Sequence, residues 1–166
     1  MRNVPLSFDE KVAAFGDPRE YMDDSGHVSA DWERKIVSYA QLPSPLALSW
    51  NPAVYVRRFK CHHRLVAAFE RALRTICADI RAWESVNDFG GCYEFRANRR
   101  DRTALSAHAW GIAIDLDVCD NPQGAVPRVE PAVVHAFEAE GFAWGGFFSG
   151  KARDGMHFEF VDPARL

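Results

Sequence analysis

Apolar and polar positions alternate most regularly over I-A-I-D-L-D-V (112–118). A period of two is that of a half-buried strand, with Ile112, Ile114, Leu116 and Val118 on one face and Ala113, Asp115 and Asp117 on the other. M-H-F-E-F-V (156–161) repeats the pattern: Met156, Phe158 and Phe160 share one face, His157 and Glu159 the opposite one. C-Y-E-F-R (92–96) and F-A-W-G-G-F-F (142–148) read as further short strands, the second running into a glycine bend. Over 62–84 the period changes to three and four. Leu65, Phe69, Leu73, Ile76, Ile80 and Trp83 form an apolar stripe there, while Arg64, Arg71, Arg74, Asp79 and Arg81 fall largely elsewhere on the wheel. This spacing predicts a helix that backs the sheet. E-P-A-V-V-H-A-F-E-A-E-G (130–141) predicts another, with Pro131 in its first turn and Gly141 at its C-terminal cap. D-W-E-R-K-I-V-S-Y-A (31–40) predicts a third, starting near Ser29 or Asp31. N-D-F-G-G (87–91), N-R-R-D-R-T (98–103) and D-N-P-Q-G (120–124) interrupt the pattern as breaks, loops or turns.

Short strands joined by hairpin-like loops and backed by helices indicate an α+β fold with a mainly antiparallel sheet. Residues 1–50 are rich in turn formers such as G-D-P (16–18) and L-P-S-P (42–45). They are expected as a helical and irregular segment packed on a body formed by residues 51–166. A length of 166 residues, 48% of them hydrophobic, allows one domain with a sizeable core. The net charge of −3 provides no basic field for nucleic acid or an anionic membrane. No apolar run is long enough to span a bilayer, and the first residues lack the apolar stretch of a secretory signal. The expectation is therefore synthesis in the cytoplasm without membrane insertion. Cys61, Cys77, Cys92 and Cys119 form no C-x-x-C pair and read as buried or incidental thiols; a Cys92–Cys119 disulfide is conceivable.

The apolar faces of the two alternating strands serve a core, which leaves the faces bearing Asp115 and His157 to line a cleft. His108 lies just before the first strand, and Gly111 permits a bend that folds its imidazole back over Asp115. Two imidazoles and one carboxylate make three protein ligands with a fourth position for water, the build of a catalytic zinc site. Ordinary hydrogen bonding also suits these residue types: Asp115 could cap a turn and His157 could be a satisfied, half-buried histidine. Spacing alone weighs the two readings evenly.

S-A-H-A-W-G-I-A-I-D (106–115) resembles the S-x-H-x-x-G-x-A-x-D signature of the D-Ala-D-Ala carboxypeptidase and endolysin-type zinc peptidases, peptidase family M15. That group also holds the VanY-like peptidases and the hedgehog signalling domain. D-G-M-H-F-E (154–159) resembles its second signature, F-A-W-G-G-F (142–147) the segment upstream of it, and G-C-Y-E-F-R-A-N-R (91–99) an arginine-bearing segment ahead of the first. The four occur in the family's order. The resemblance implies a hedgehog/DD-peptidase-like fold and one Zn2+ per chain, held by His108, Asp115 and His157. It implies Asp154 as the catalytic acid–base and Arg96 as the arginine that steadies the substrate carbonyl or oxyanion. Arg99 is a weaker match for that arginine or a contact to a substrate carboxylate. Ser106 is expected to hydrogen-bond near His108, Trp144 to face the substrate and Trp110 to pack. Asp117 and Glu159 are expected to orient ligands or stay solvated, and His27, His62, His63 and His135 to be ordinary surface or helix residues.

The implied partner is the peptide stem of bacterial peptidoglycan, cut by an endolysin-like enzyme at the L-Ala–D-Glu bond or a neighbouring one. The alternatives are a D-Ala-D-Ala carboxypeptidase or dipeptidase with the same site, and a non-catalytic, zinc-containing wall-binding or virion module. The endolysin-like reading further implies a phage or prophage lysis enzyme that reaches the wall through a holin-like membrane lesion.

Overall fold

In the computed structural model, which describes residues 4–98 and 101–166, the chain builds one sheet and sets helices against it. Helix α1 (Phe8–Phe15) starts at Ser7, whose Oγ accepts from the Glu10 amide at 3.2 Å. Glu10 Oε2 accepts in turn from the Ser7 amide at 2.7 Å, so the two residues cap the helix reciprocally. Helix α2 (Ala30–Ile36) gives way at Val37 to strand β1 (Val37–Leu48), and β2 (Asn51–His62) returns antiparallel to it. The helix expected over 31–40 therefore stops at Ile36, and a segment expected to be irregular carries a strand. Pro43 and Pro45 fall within the register shift between Gln41 and Leu46, where the ladder needs no amide from them. This hairpin crosses the expected division at residue 50, so residues 37–48 share the sheet with the strands that follow.

The helical stripe of 62–84 is split. A short turn at His63–Leu65 leads into α3 (Val66–Ala78), and Asp79 separates it from α4 (Ile80–Glu84). The Asp79 carboxylate caps α4 by accepting from the amides of Arg81 and Ala82 at 3.0 and 3.2 Å. That cap turns the chain and leaves Ile80, expected in the apolar stripe, exposed. Strand β3 (Asp88–Gly91) occupies the expected break and replaces the strand expected at 92–96. The Asp88 carboxylate accepts from the amides of Val118 and Cys119 at 2.9 and 3.1 Å, which ties the start of β3 to the chain just past the next strand. β4 (Ala113–Leu116), α5 (Pro131–Ala139), β5 (Phe142–Trp144) and β6 (His157–Phe160) follow close to where the pattern predicted them.

The sheet order is β2-β1-β3-β4-β6-β5, antiparallel except for the β1–β3 pair. Ile114 of β4 stands opposite Phe158 of β6, and their face packs on α5, whose Phe137 stacks on Phe158 at 4.4 Å between ring centroids. Phe69 of α3 meets Phe142 of β5 at 4.7 Å. Truncating one of these buried rings to alanine would cost about 3–5 kcal/mol. The N-terminal segment grips the short turn Ala107–Trp110 ahead of β4. Trp32 Nε1 donates to the Ala109 carbonyl at 3.2 Å, and Trp110 Nε1 donates to the Gly16 carbonyl at 2.9 Å. Trp110 is thus a packing residue, as expected. Cys61, Cys77, Cys92 and Cys119 are free thiols, so Cys92 and Cys119 are not joined. No helix among the described residues is long and apolar enough to cross a membrane.

Candidate metal centre

Three backbone devices bring His108, Asp115 and His157 together. The Ser106 hydroxyl accepts from the His108 amide at 3.4 Å and starts the turn that carries the imidazole. Gly111 ends that turn at φ +66°, where a Cβ would lie 2.8 Å from the His62 amide nitrogen, so both its conformation and its crowding require glycine. The β4–β6 register sets Asp115 directly across from His157, and the pleat turns both to the face opposite Ile114 and Phe158.

In the resulting cluster, His157 Nδ1 lies 2.9 Å and His108 Nε2 lies 3.3 Å from Asp115 Oδ1. One ligand atom from each of the three residues falls within 4.8 Å of the other two. Each imidazole is held from behind. His108 Nδ1 contacts the Cys92 carbonyl at 2.6 Å, and His157 Nε2 contacts Glu159 Oε2 at 3.1 Å. With a cation bound in front, an N–H at each rear position would keep both of these hydrogen bonds and leave lone pairs on His108 Nε2 and His157 Nδ1 to meet it. His108 Nε2 is buried and makes no hydrogen bond among the described residues. A buried acceptor with no donor, beside a second imidazole nitrogen and a carboxylate, fits a zinc ion: N, N and O donors converge, with room for a further ligand.

The electrostatics are those of a cation site. Burial would raise the Asp115 carboxyl, but His108 and His157 outweigh it and hold the group well below the usual carboxylate range. Burial would depress the His157 imidazolium, yet its hydrogen bonds to Asp115 and Glu159 raise it to about 10. A positive charge is thus strongly favoured between the two carboxylates. Burial likewise opposes ionisation of Glu159, but His157 holds it as a carboxylate.

A cleft of about 230 Å3 opens over this cluster, and Asp154, Arg96 and Ser106 also line it. The Asp154 amide donates to the Gly145 carbonyl at 3.0 Å, and a Cβ on Gly145 would lie 2.4 Å from the Asp154 carbonyl oxygen. Gln123 Nε2 donates to Asp154 Oδ2 at 2.8 Å. Arg96 reaches the cleft with its Nε held 2.8 Å from Glu94 Oε2. Trp144, expected to face the substrate, is half-buried and donates from Nε1 to the Gly155 carbonyl at 2.7 Å. It therefore steadies the loop that presents Asp154. Arg99 lies outside the described residues.

The two companion carboxylates separate. Glu159 orients His157, whereas Asp117 leaves the strand at φ +55° and accepts from Asn87 at 3.0 Å and Asn121 at 2.7 Å. The strand ends before Asp117, so the alternation that placed it on the cleft face no longer applies. Of the four histidines expected to be ordinary, His62 is buried at the end of β2, while His27, His63 and His135 are exposed. Lys11 of α1 and Gln123 line the cleft without any sign in the sequence beyond a charged helix residue and a turn residue. Residues 99–160 match a family model described as D-alanyl-D-alanine carboxypeptidase. The comparison with curated proteins and that with solved structures each found no match.

Proposed function

We propose that the chain, whose residues 99–160 match the D-alanyl-D-alanine carboxypeptidase family model, is an M15-type, zinc-dependent hydrolase of peptidoglycan stem peptides. The observation that carries this reading is the convergence of His108 Nε2, Asp115 Oδ1 and His157 Nδ1, with the rear nitrogen of each imidazole already engaged. A zinc ion in this position supplies positive charge to polarise a peptide carbonyl and to acidify a water. Asp154, in the same cleft, is the base that takes the attacking water's proton and the acid that returns it to the leaving amine. Gln123 keeps one Asp154 oxygen oriented. Arg96 places its charge toward the oxygen on which negative charge develops.

In the finer reading the enzyme is endolysin-like and cuts the L-Ala–D-Glu bond or a neighbouring one after reaching the wall through a membrane lesion. Removal of a terminal D-Ala is the second reading, and the description of the matched family favours it. Mass spectrometry of peptidoglycan fragments after digestion tests both, with parallel samples in which zinc is chelated and then restored. New stem-peptide termini that vanish on chelation and return with zinc are the expected outcome, and their masses identify the bond. A folded, zinc-loaded sample that yields no new termini would refute the hydrolase and leave a zinc-containing wall-binding module.

A further inference from the structure

Lys11 is a charged cleft residue that neither the metal cluster nor the proposed acid–base group uses. It sits on α1, far from His108 in sequence, and is only 9% exposed. The helix brings it there through one face: Phe8 packs edge-on against Trp110 at 5.7 Å, and Phe15 meets the His62 ring at 5.0 Å, so the intervening Lys11 is directed over the same surface. Its Nζ lies 5.8 Å from the centre of the Trp110 ring, and the residue borders the cleft that holds His108, Asp115, Asp154 and His157.

A nearly buried ammonium is costly unless an anion compensates it. Among the described residues no carboxylate lies within ion-pair distance of Lys11. The cleft's own carboxylates have nearer partners: Asp115 both histidines, Glu159 Oε2 the His157 ring, and Asp154 Oδ2 the Gln123 amide, while Glu159 Oε1 accepts no hydrogen bond among the described residues. The indole face of Trp110 and the more distant charge of Glu159 attract the ammonium without pairing with it. This leaves a cation held in place beside the centre, with hydrogen-bond donors to offer a group that enters from solvent.

We propose that Lys11 binds a carboxylate of the peptide substrate, so that α1 takes part in choosing what is cut. The inference rests on the peptidase reading above. A stem peptide can present such a carboxylate from two sources, its C-terminus or the free α-carboxylate of a γ-linked glutamate. The contact would be a charge-assisted hydrogen bond in a water-poor pocket.

The zinc-loaded wild type, Lys11→Met and Lys11→Arg are compared on three synthetic stem peptides: one unmodified, one amidated at the C-terminus and one amidated at the glutamate α-carboxylate. Methionine keeps the apolar stem over Trp110 and removes the charge. Lys11→Met is expected to lose about tenfold or more in kcat/KM on the unmodified peptide, chiefly through KM. Lys11→Arg is expected to recover much of that loss. On one amidated peptide the wild type and Lys11→Met should cleave alike, and that peptide reveals which carboxylate is bound. No loss on any peptide, or an equal loss on all three, would overturn the proposal. So would a fall in zinc content that accounts for the loss, because Lys11 would then serve only to balance Glu159. If the wild type cuts none of the peptides, the hydrolase reading fails, and calorimetry on the uncut peptides tests Lys11 separately. Carboxylate-selective binding that Lys11→Met weakens would support the proposal; equal binding by both proteins, or none, would refute it.

Discussion

Each imidazole of the triad has one nitrogen directed forward and one held behind, and this division makes separate predictions for separate side chains. Glu159→Gln retains a hydrogen-bonding oxygen but loses the charge behind His157, so zinc affinity should fall about 10–100-fold while the fold persists. Competition with a chromophoric chelator measures that change. His157→Ala should lose both zinc and activity. Asp154→Ala should keep its zinc and lose about 100-fold or more in rate; full activity in that variant would remove Asp154 as the base. His108, Asp115 and His157 were legible in the sequence because strand alternation and the two motifs locate them within a few residues of glycines and strand ends. Lys11 was not legible, since a lysine on a short helix reads as a solvated residue until the rest of the chain folds around it. The role of Glu159 was half-legible: alternation put it on the His157 face, but only the structure shows the contact.

Elements are positioned by a few backbone requirements, and these too can be tested. Gly111→Ala places a Cβ against the His62 amide at a left-handed φ, and should destabilise the chain by about 2 kcal/mol or more in chemical denaturation. Zinc affinity should fall with it, because the same turn carries His108. Ser7→Ala removes half of the reciprocal cap on α1 and should cost about 1 kcal/mol. β4, β6 and α5 could be read from periodicity because each has one consistently apolar face. β1 and β2 could not. β1 contains two prolines, tolerated because the ladder shifts register around them, and β2 is an edge strand with much of its length exposed, rich in polar and basic residues. The break at Asp79 was hidden for a related reason: the apolar stripe continues through it, and only the side-chain cap turns the chain.

At the scale of the whole molecule, the N-terminal helices and the C-terminal strand meet around one turn, and His62 lies at that junction. Burial lowers its pKa first of all, His63 and Arg64 lower it further, and together they bring it from 6.5 to about 3. Its ring stacks on His63 at 4.6 Å, meets Phe15 edge-on, and accepts from the Arg64 amide at Nδ1. The folded chain therefore binds this proton less readily than the unfolded chain. The stability it contributes is complete above pH 6.5 and is lost as the pH falls from there toward 3, at up to about 1.4 kcal/mol per pH unit. In chelator, His62→Asn should show a shallower decline than the wild type across that range in urea titrations; equal slopes would remove His62 as a source of acid sensitivity. The strand pairing that joins Asp115 to His157 also sets a timetable. A nascent chain emerges with His108 and Asp115 well ahead of His157, and α5 and β5 are made in the interval. Until β6 slots between β4 and β5, the nascent chain has two of the three clustered side chains and no complete cluster. On the proposed assignment of His108, Asp115 and His157 as ligands, the order of synthesis leaves the centre unassembled until β6 is in place.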